Sequence, residues 1–165
     1  MRKRIFYPVS GLVLAAILIP YVIAALAGGD NFVFGGFLVN PLDGNSYLAK
    51  MELGYQGSGS FRLPYTHNAE AGGYLFLFYI FLGHAARMLG LPLVIVFHTA
   101  RIFSAAFLLL GLRTFFSKLF ANRPIQIEWA FIFAVTGAGL GWAAALIGGF
   151  TSDFWVAEAY PFLSM

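Results

Sequence analysis

The chain has 165 residues, of which 60% are hydrophobic and only 10% charged, with a formal charge of +3. Soluble domains carry about a quarter charged residues, so this composition excludes an ordinary water-clothed globule, and so small and scattered a positive excess excludes a nucleic-acid surface. With no cysteine, neither a disulfide framework nor a thiolate metal site can form.

The first hydrophobic run, 9–27, follows the basic cluster Arg2, Lys3, Arg4. Three positive charges hold residues 1–8 in the cytoplasm. Ala25-Leu26-Ala27 also matches a signal-peptide cleavage site, but signal cores run about 7–15 apolar residues. This run is longer, which favours an uncleaved anchor. Pro20 is tolerable in a membrane helix.

The chain then turns polar. Within 28–90, the stretch NPLDGNSYLAKMELGY reads as a short helix over 43–54. Asp43 serves as its N-cap and Gly54 as its C-terminal stop. Tyr47 and Met51 stand four residues apart on one face, so the helix can lie flat on a bilayer. An Asp in this place is ordinarily only a cap.

Three further apolar runs follow: GYLFLFYIFLGHAARMLG (73–90), LPLVIVFHTARIFSAAFLLLGL (91–112) and IEWAFIFAVTGAGLGWAAALIGG (127–149). Counting all of them as spans gives four crossings and leaves Arg113, Lys118 and Arg123 outside, against the positive-inside bias. Placing 73–90 along the outer interface instead puts six basic residues inside: Arg2, Lys3, Arg4, Arg113, Lys118 and Arg123. Asp30, Asp43, Glu52, Glu70, Asp153 and Glu158 then lie outside. The aromatic content of 73–90 suits an interface, and His84 and Arg87 are expensive at mid-bilayer.

The expected architecture is therefore an all-α polytopic membrane protein, one module over 1–165. Its three transmembrane helices are 9–27, 91–112 and 127–149, with interfacial helices 43–54 and 73–90 in the outer loop 28–90. Residues 113–126 are cytoplasmic and 150–165 form a second outer loop; four spans are the alternative. The chain stops inside that second loop, so it is expected to be the N-terminal fragment of a longer protein. GAGLG at 137–141 fits the small-residue packing pattern of membrane helices, not a dinucleotide fingerprint.

The order of features carries a family resemblance. A basic N-terminus and first span precede an outer loop with Asp43 heading DGNSYLAKMELG. Then come Leu63-Pro64-Tyr65-Thr66-His67, an aromatic helix ending near Leu82-Gly83, and a span opening on Phe97-His98-Thr99-Ala100-Arg101-Ile102-Phe103. Thr136-Gly137-Ala138-Gly139-Leu140-Gly141-Trp142 and Ser152-Asp153-Phe154-Trp155 extend it. The set resembles the N-terminal part of the GT-C glycosyltransferases, especially bacterial dolichyl-phosphate-mannose- or arabinose-transferase-like membrane proteins. The resemblance implies transfer of a sugar from a polyprenyl-phosphate-linked donor to an acceptor on the extracytoplasmic side of the cell membrane, with membrane lipid as the other partner.

In that family the first outer loop carries a catalytic acid, and Asp43 occupies its place. A second acid comes from the next outer loop, where Asp153 and Glu158 are both candidates. Many relatives pair the first acid with another, whereas here Gly44 follows Asp43. Such a reaction needs a general base for the acceptor and cations for the departing phosphate. Arg101 offers a planar fork of donors and shares a helical face with His98; Tyr47 and His67 complete the substrate-binding candidates. Each has a plainer reading: Arg101 snorkelling or ion-paired, His67 merely solvated. No metal ligand is assigned. The cofactor stays open, since a divalent cation wants oxygen ligands that Asp43 and Asp153 supply only if the loops meet. The alternatives are a non-catalytic assembly protein and a transporter component, in which intramembrane charge would mark a pathway.

Overall fold

The computed structural model describes residues 3–27, 33–38, 40–63 and 72–137. Among these the regular structure is helical. The helices are α1 (Lys3–Ala27), α2 (Pro41–Tyr55), α3 (Leu77–Leu89), α4 (Leu93–Leu119) and α5 (Pro124–Thr136), and the only strand-like pairing described is an isolated bridge between Phe61 and Gly73. The all-α expectation holds. Two helices, Arg4–Ala27 and Leu93–Leu119, are long and apolar enough to cross a membrane. At 1.5 Å per residue each measures more than about 30 Å, the thickness of a hydrocarbon core. Few of their residues are buried inside the protein; Leu12, Leu26, Phe103 and Phe107 are all more than two-thirds exposed. Apolar surface turned outward along two such helices points to membrane association.

The element boundaries differ from the sequence reading in ways that have local causes. Helix α2 starts at Pro41 rather than at residue 43, because proline suits the first helical position, where no amide partner is needed. Asp43 is therefore not the N-cap. That position belongs to Asn40, in a left-handed conformation, and Asp43 sits in the first turn, where its Oδ2 accepts from Asn40 Nδ2 at 2.7 Å. Nor does Gly54 stop the helix. Gly57, with φ 99°, does so: its amide donates to the Gly54 carbonyl and the Ser58 amide to the Leu53 carbonyl, both at 2.9 Å, closing a Schellman turn.

Helix α3 is shorter than 73–90, because Gly73 is engaged with Phe61 and Phe76 takes a left-handed conformation. Gly90, with φ 64°, ends α3. Helix α4 continues to Leu119, through half of the segment read as cytoplasmic. Its basic residues argue for a side of the bilayer, but Arg and Lys are good helix formers and nothing breaks the backbone before Asn122 and Pro124. Of the run 127–149, only the part up to residue 137 is described, within α5. The second outer loop and the GAGLG stretch beyond Gly137 lie outside the described residues.

The chain divides into two compact units, built from the described parts of Met1–Val13 with Ala106–Met165 and of Leu14–Ala105. In the first, Phe6 is buried against Phe131, ring centroids 5.5 Å apart, and the Arg113 guanidinium lies 4.6 Å from the Phe6 ring.

The second unit carries the candidate site, and its centre is the crossing of α2 with α3. A Cβ at Gly54 would strike the Ile80 carbonyl oxygen, and one at Gly83 would strike the Met51 carbonyl oxygen. Backbone thus lies on backbone. Around this crossing Met51, Leu82, Ala86 and Val96 form a buried cluster, with Leu48, Tyr79, Leu93 and Phe97 packed against it. Val96 and Phe97 belong to α4, so the same cluster fastens the α2–α3 pair to that helix.

Gly83→Ala is therefore expected to destabilise the protein by about 1–3 kcal/mol or more, the range for forcing atoms into filled space. Gly111→Ala, where an added Cβ meets nothing within 4 Å, is expected to be neutral or to stabilise by a few tenths to about 1 kcal/mol. Melting temperatures in one detergent compare the two directly.

Candidate functional site

Asp43 stands exposed in the first turn of α2. Following it along the same helical face are Ser46 and Lys50, three and seven residues on. The Lys50 ammonium donates to Ser46 Oγ at 3.1 Å and lies 4.2 Å from the Phe76 ring centroid and 5.1 Å from that of Tyr47. Cation and hydroxyl thus share one ordered patch, anchored by contacts that are individually small.

Gly44, directly after Asp43, is buried, and a Cβ there would overlap the Phe37 ring. Gly44 is not simply the place where a second acid is missing. It lets the loop ring press onto α2. Phe37 in turn packs edge-on to Phe97 at 5.4 Å and lies 5.9 Å from the His98 ring. A chain of contacts therefore leads from the residue beside Asp43, through Phe37, to His98.

His98 is held from two sides. Its Nε2 donates to the Gly36 carbonyl at 2.7 Å, and its ring sits 4.8 Å from Tyr21 on α1. Gly36, with φ 94°, is packed so tightly that a Cβ would approach Val94 to 2.8 Å; only glycine brings the loop carbonyl this close to α4. His98 Nδ1 is buried with no partner among the described residues.

Arg101, one helical turn further along α4, reaches α1. Its guanidinium carbon lies 3.9 Å from the Tyr21 ring centroid, and NH2 donates to the Ile17 carbonyl at 3.2 Å. Its Nε is buried and unpartnered among the described residues. The described partners of Arg101 are thus an aromatic face and a helix carbonyl, with no outer-loop acid among them. The Ile17 carbonyl is within reach although it already serves an α-helix, because a carbonyl has two lone pairs.

Tyr47 stacks on Tyr79 at 5.0 Å with an interplanar angle of 6°, and on Phe97 at 6.1 Å. Its ring belongs to the joint between α2, α3 and α4. His84, on the aromatic helix, bonds through Nε2 to the Ser58 carbonyl at 3.1 Å and ties α3 to the turn that ends α2.

The structure brings together Asp43, Tyr47, His98 and Arg101 in one unit. Asp153, Glu158 and His67 lie outside the described residues. No three His, Cys, Asp or Glu side chains converge among the described residues. Sequence reasoning missed Tyr21, Gly36 and Phe37, which hold His98 and Arg101 in place. A signal existed in part: a glycine-aromatic loop, GGF at 35–37, next to an apolar span. No family model, curated protein or solved structure matches this chain.

Burial first, and then the neighbouring Tyr47, push the Tyr79 phenol above its ordinary value of 10.0. The folded state therefore keeps this proton to higher pH than the unfolded chain does. Below pH 10 the group leaves stability unchanged; as pH rises through 10 the unfolded state ionises first, and stability falls. Melting temperatures between pH 8 and 11 are expected to drop less steeply in Tyr79→Phe than in the wild type. Equal slopes would show that the phenol does not contribute.

Proposed function

We propose that this chain is a three-span module of a membrane glycosyltransferase of GT-C type, placed in the cell membrane with a cytoplasmic N-terminus. Transfer takes place on the opposite side, from a polyprenyl-phosphate-linked sugar. The observation that carries the reading is the setting of Asp43: an exposed carboxylate at the head of a helix that is locked through the neighbouring Gly44, Tyr47 and Met51 onto a loop, a second helix and a membrane-length helix. A fixed carboxylate facing water is what a general base needs.

The length of α3 supports three spans over four. Thirteen residues cover about 20 Å as a helix, short of the roughly 30 Å core. Its exposed Phe78, Phe81, Met88 and Leu89 suit the boundary between water and lipid. In this arrangement α2 and α3 lie together at the outer surface, while Arg113, Lys118 and Arg123 face the cytoplasm.

The proposed step is a single displacement. The acceptor hydroxyl attacks the anomeric carbon of the sugar, and its proton passes to the Asp43 carboxylate. The bond from that carbon to the phosphate oxygen breaks, and its electron pair leaves on the phosphate. Asp153 or Glu158 is the second acid proposed for the site, with His67 a contact for phosphate or acceptor. His98 and Arg101 are assigned to placing the loop and α1 on α4, in keeping with their contacts.

Asp43→Asn retains the size of the side chain and is expected to lower transfer by about a hundredfold or more, the usual worth of a general base, with helix content and membrane insertion unchanged. A panel of polyprenyl-phosphate-linked sugars supplied to membranes containing the protein measures this. Full activity in the variant would make Asp43 a helix-end charge only and favour a non-catalytic assembly protein. Topology is tested separately, because the native chain has no cysteine. Single cysteines at Asn45 and Asn122, both exposed, are expected to react with an impermeant thiol reagent in intact cells at 45 and not at 122.

A further inference from the structure

Beside the face of α2 that carries Ser46 and Lys50 is a cavity of about 340 Å³, closed on its other side by Phe61, Arg62 and Leu63, with Leu53 in its floor. It falls within the size range of small-molecule sites. Its chemistry is divided. One part presents the Lys50 ammonium, the Arg62 guanidinium and the Ser46 hydroxyl; the other is aliphatic and aromatic. No carboxylate lines it among the described residues.

The cationic part is built. Ser46 Oγ accepts from Lys50 at 3.1 Å, which leaves the Ser46 O–H free to donate elsewhere. Lys50 is held over the Phe76 ring at 4.2 Å and keeps two of its three N–H bonds for other acceptors. The wall opposite is tied down as well. Phe61 and Gly73 exchange two backbone hydrogen bonds of 2.9 Å, and the Phe61 and Phe76 rings meet edge-on at 4.9 Å. Ser58 Oγ donates to the Ser60 carbonyl at 2.7 Å just before this wall. Two cations and a hydroxyl donor around one space describe a receptor for a phosphate-type anion.

The apolar part identifies what the anion is attached to. Leu63, Tyr74, Leu75 and Phe76 are all 45% exposed or more; Leu63 lines the cavity and Phe76 meets the Phe61 ring of its wall. We propose that this cavity binds the phosphate headgroup of an anionic membrane lipid, with Lys50, Arg62 and Ser46 on the phosphate and the Leu53, Phe61 and Leu63 side chains along the start of the acyl chains. Bound there, the lipid seats the α2–α3 pair on the bilayer surface. The inference rests on the membrane part of the proposed function and is independent of sugar transfer.

The test uses the full chain purified in a neutral detergent, titrated calorimetrically with short-chain phosphatidic acid, short-chain phosphatidylcholine and inorganic phosphate, with no sugar donor present. Phosphatidic acid is expected to bind saturably and at least about tenfold more tightly than either of the others, since only it joins an unshielded anionic phosphate to an apolar body. Lys50→Gln and Arg62→Gln are each expected to weaken it about tenfold, and Arg62→Lys to restore most of the loss. Arg62 is exposed and outside any helix, so its variant is informative even if Lys50→Gln disturbs the aromatic packing; circular dichroism checks the fold of both. Absence of saturable binding overturns the proposal, as does binding that neither variant changes. Inorganic phosphate binding as tightly as the lipid would overturn the lipid assignment and leave a site for water-soluble phosphate esters. Loss of sugar transfer in Asp43→Asn has no bearing on these titrations, so the two readings fail separately.

Discussion

Two glycines, Gly54 facing the Ile80 carbonyl and Gly83 facing the Met51 carbonyl, decide how α2 and α3 pack. Because Gly54 and Gly83 carry no Cβ, the backbones of α2 and α3 come into direct contact, and side chains on either side of the crossing must interlock around it. Met51 becomes fully buried and meets Leu82 and Ala86 of α3 and Val96 of α4. Van der Waals contact of this kind is short-ranged: a gap of even half an ångström forfeits much of it. The small residue is therefore a condition for the cluster, and the cluster for the rigidity of the face that carries Asp43, Ser46 and Lys50.

A second joint relies on polar atoms in apolar surroundings. His98 and Arg101 lie on a helix of membrane-spanning length, where an unsatisfied donor is costly. Each finds a backbone carbonyl, Gly36 for one and Ile17 for the other, and both lie against the Tyr21 ring. Loop, α1 and α4 are thus joined by directional bonds rather than by burial, which suits helices whose outer faces stay apolar and uncovered by protein. The same geometry explains why a charged side chain can sit in such a helix with no carboxylate partner among the described residues. The Tyr21 π-face and the carbonyl dipole share the work of stabilising the guanidinium.

These two joints flank a polar segment. Asp43, Ser46, Lys50 and Arg62 all belong to the segment between α1 and α3, while α1 and α4 turn Leu, Ile and Phe outward. Acid and cation are both on α2, but their settings differ. Asp43 is exposed and accepts from the neighbouring Asn40, whereas Lys50 is clasped by aromatic rings beside a cavity. A water-facing carboxylate suits proton transfer, and a caged cation next to apolar walls suits an anion bearing a lipid tail. One helix can present both because Gly44, Met51 and Gly54 beside them are buried in packing.

The helical class, the two membrane-length helices and the polar segment between them were legible in composition alone, because 20 or so consecutive apolar residues have few other uses. Helix ends were read less well. Asp43 and Gly54 looked like cap and stop, but Asn40 and Gly57 took those positions, since capping depends on backbone dihedrals that residue type only biases. The candidate pair of His98 and Arg101 was visible as a three-residue spacing, yet its partners Tyr21, Gly36 and Ile17 lie more than 60 residues away in the chain. Periodicity reports which residues share a face of one helix; it carries no information on what that face meets. For this reason the sequence by itself determined the kind of chain and the stock of chemical groups, whereas only the tertiary structure decided that Gly54 and Gly83 would each meet a carbonyl of the partner helix, that Gly44 would receive the Phe37 ring, and that Lys50 would share a cavity with Arg62. Those outcomes depend on contacts between distant segments, which exist only once the chain has folded.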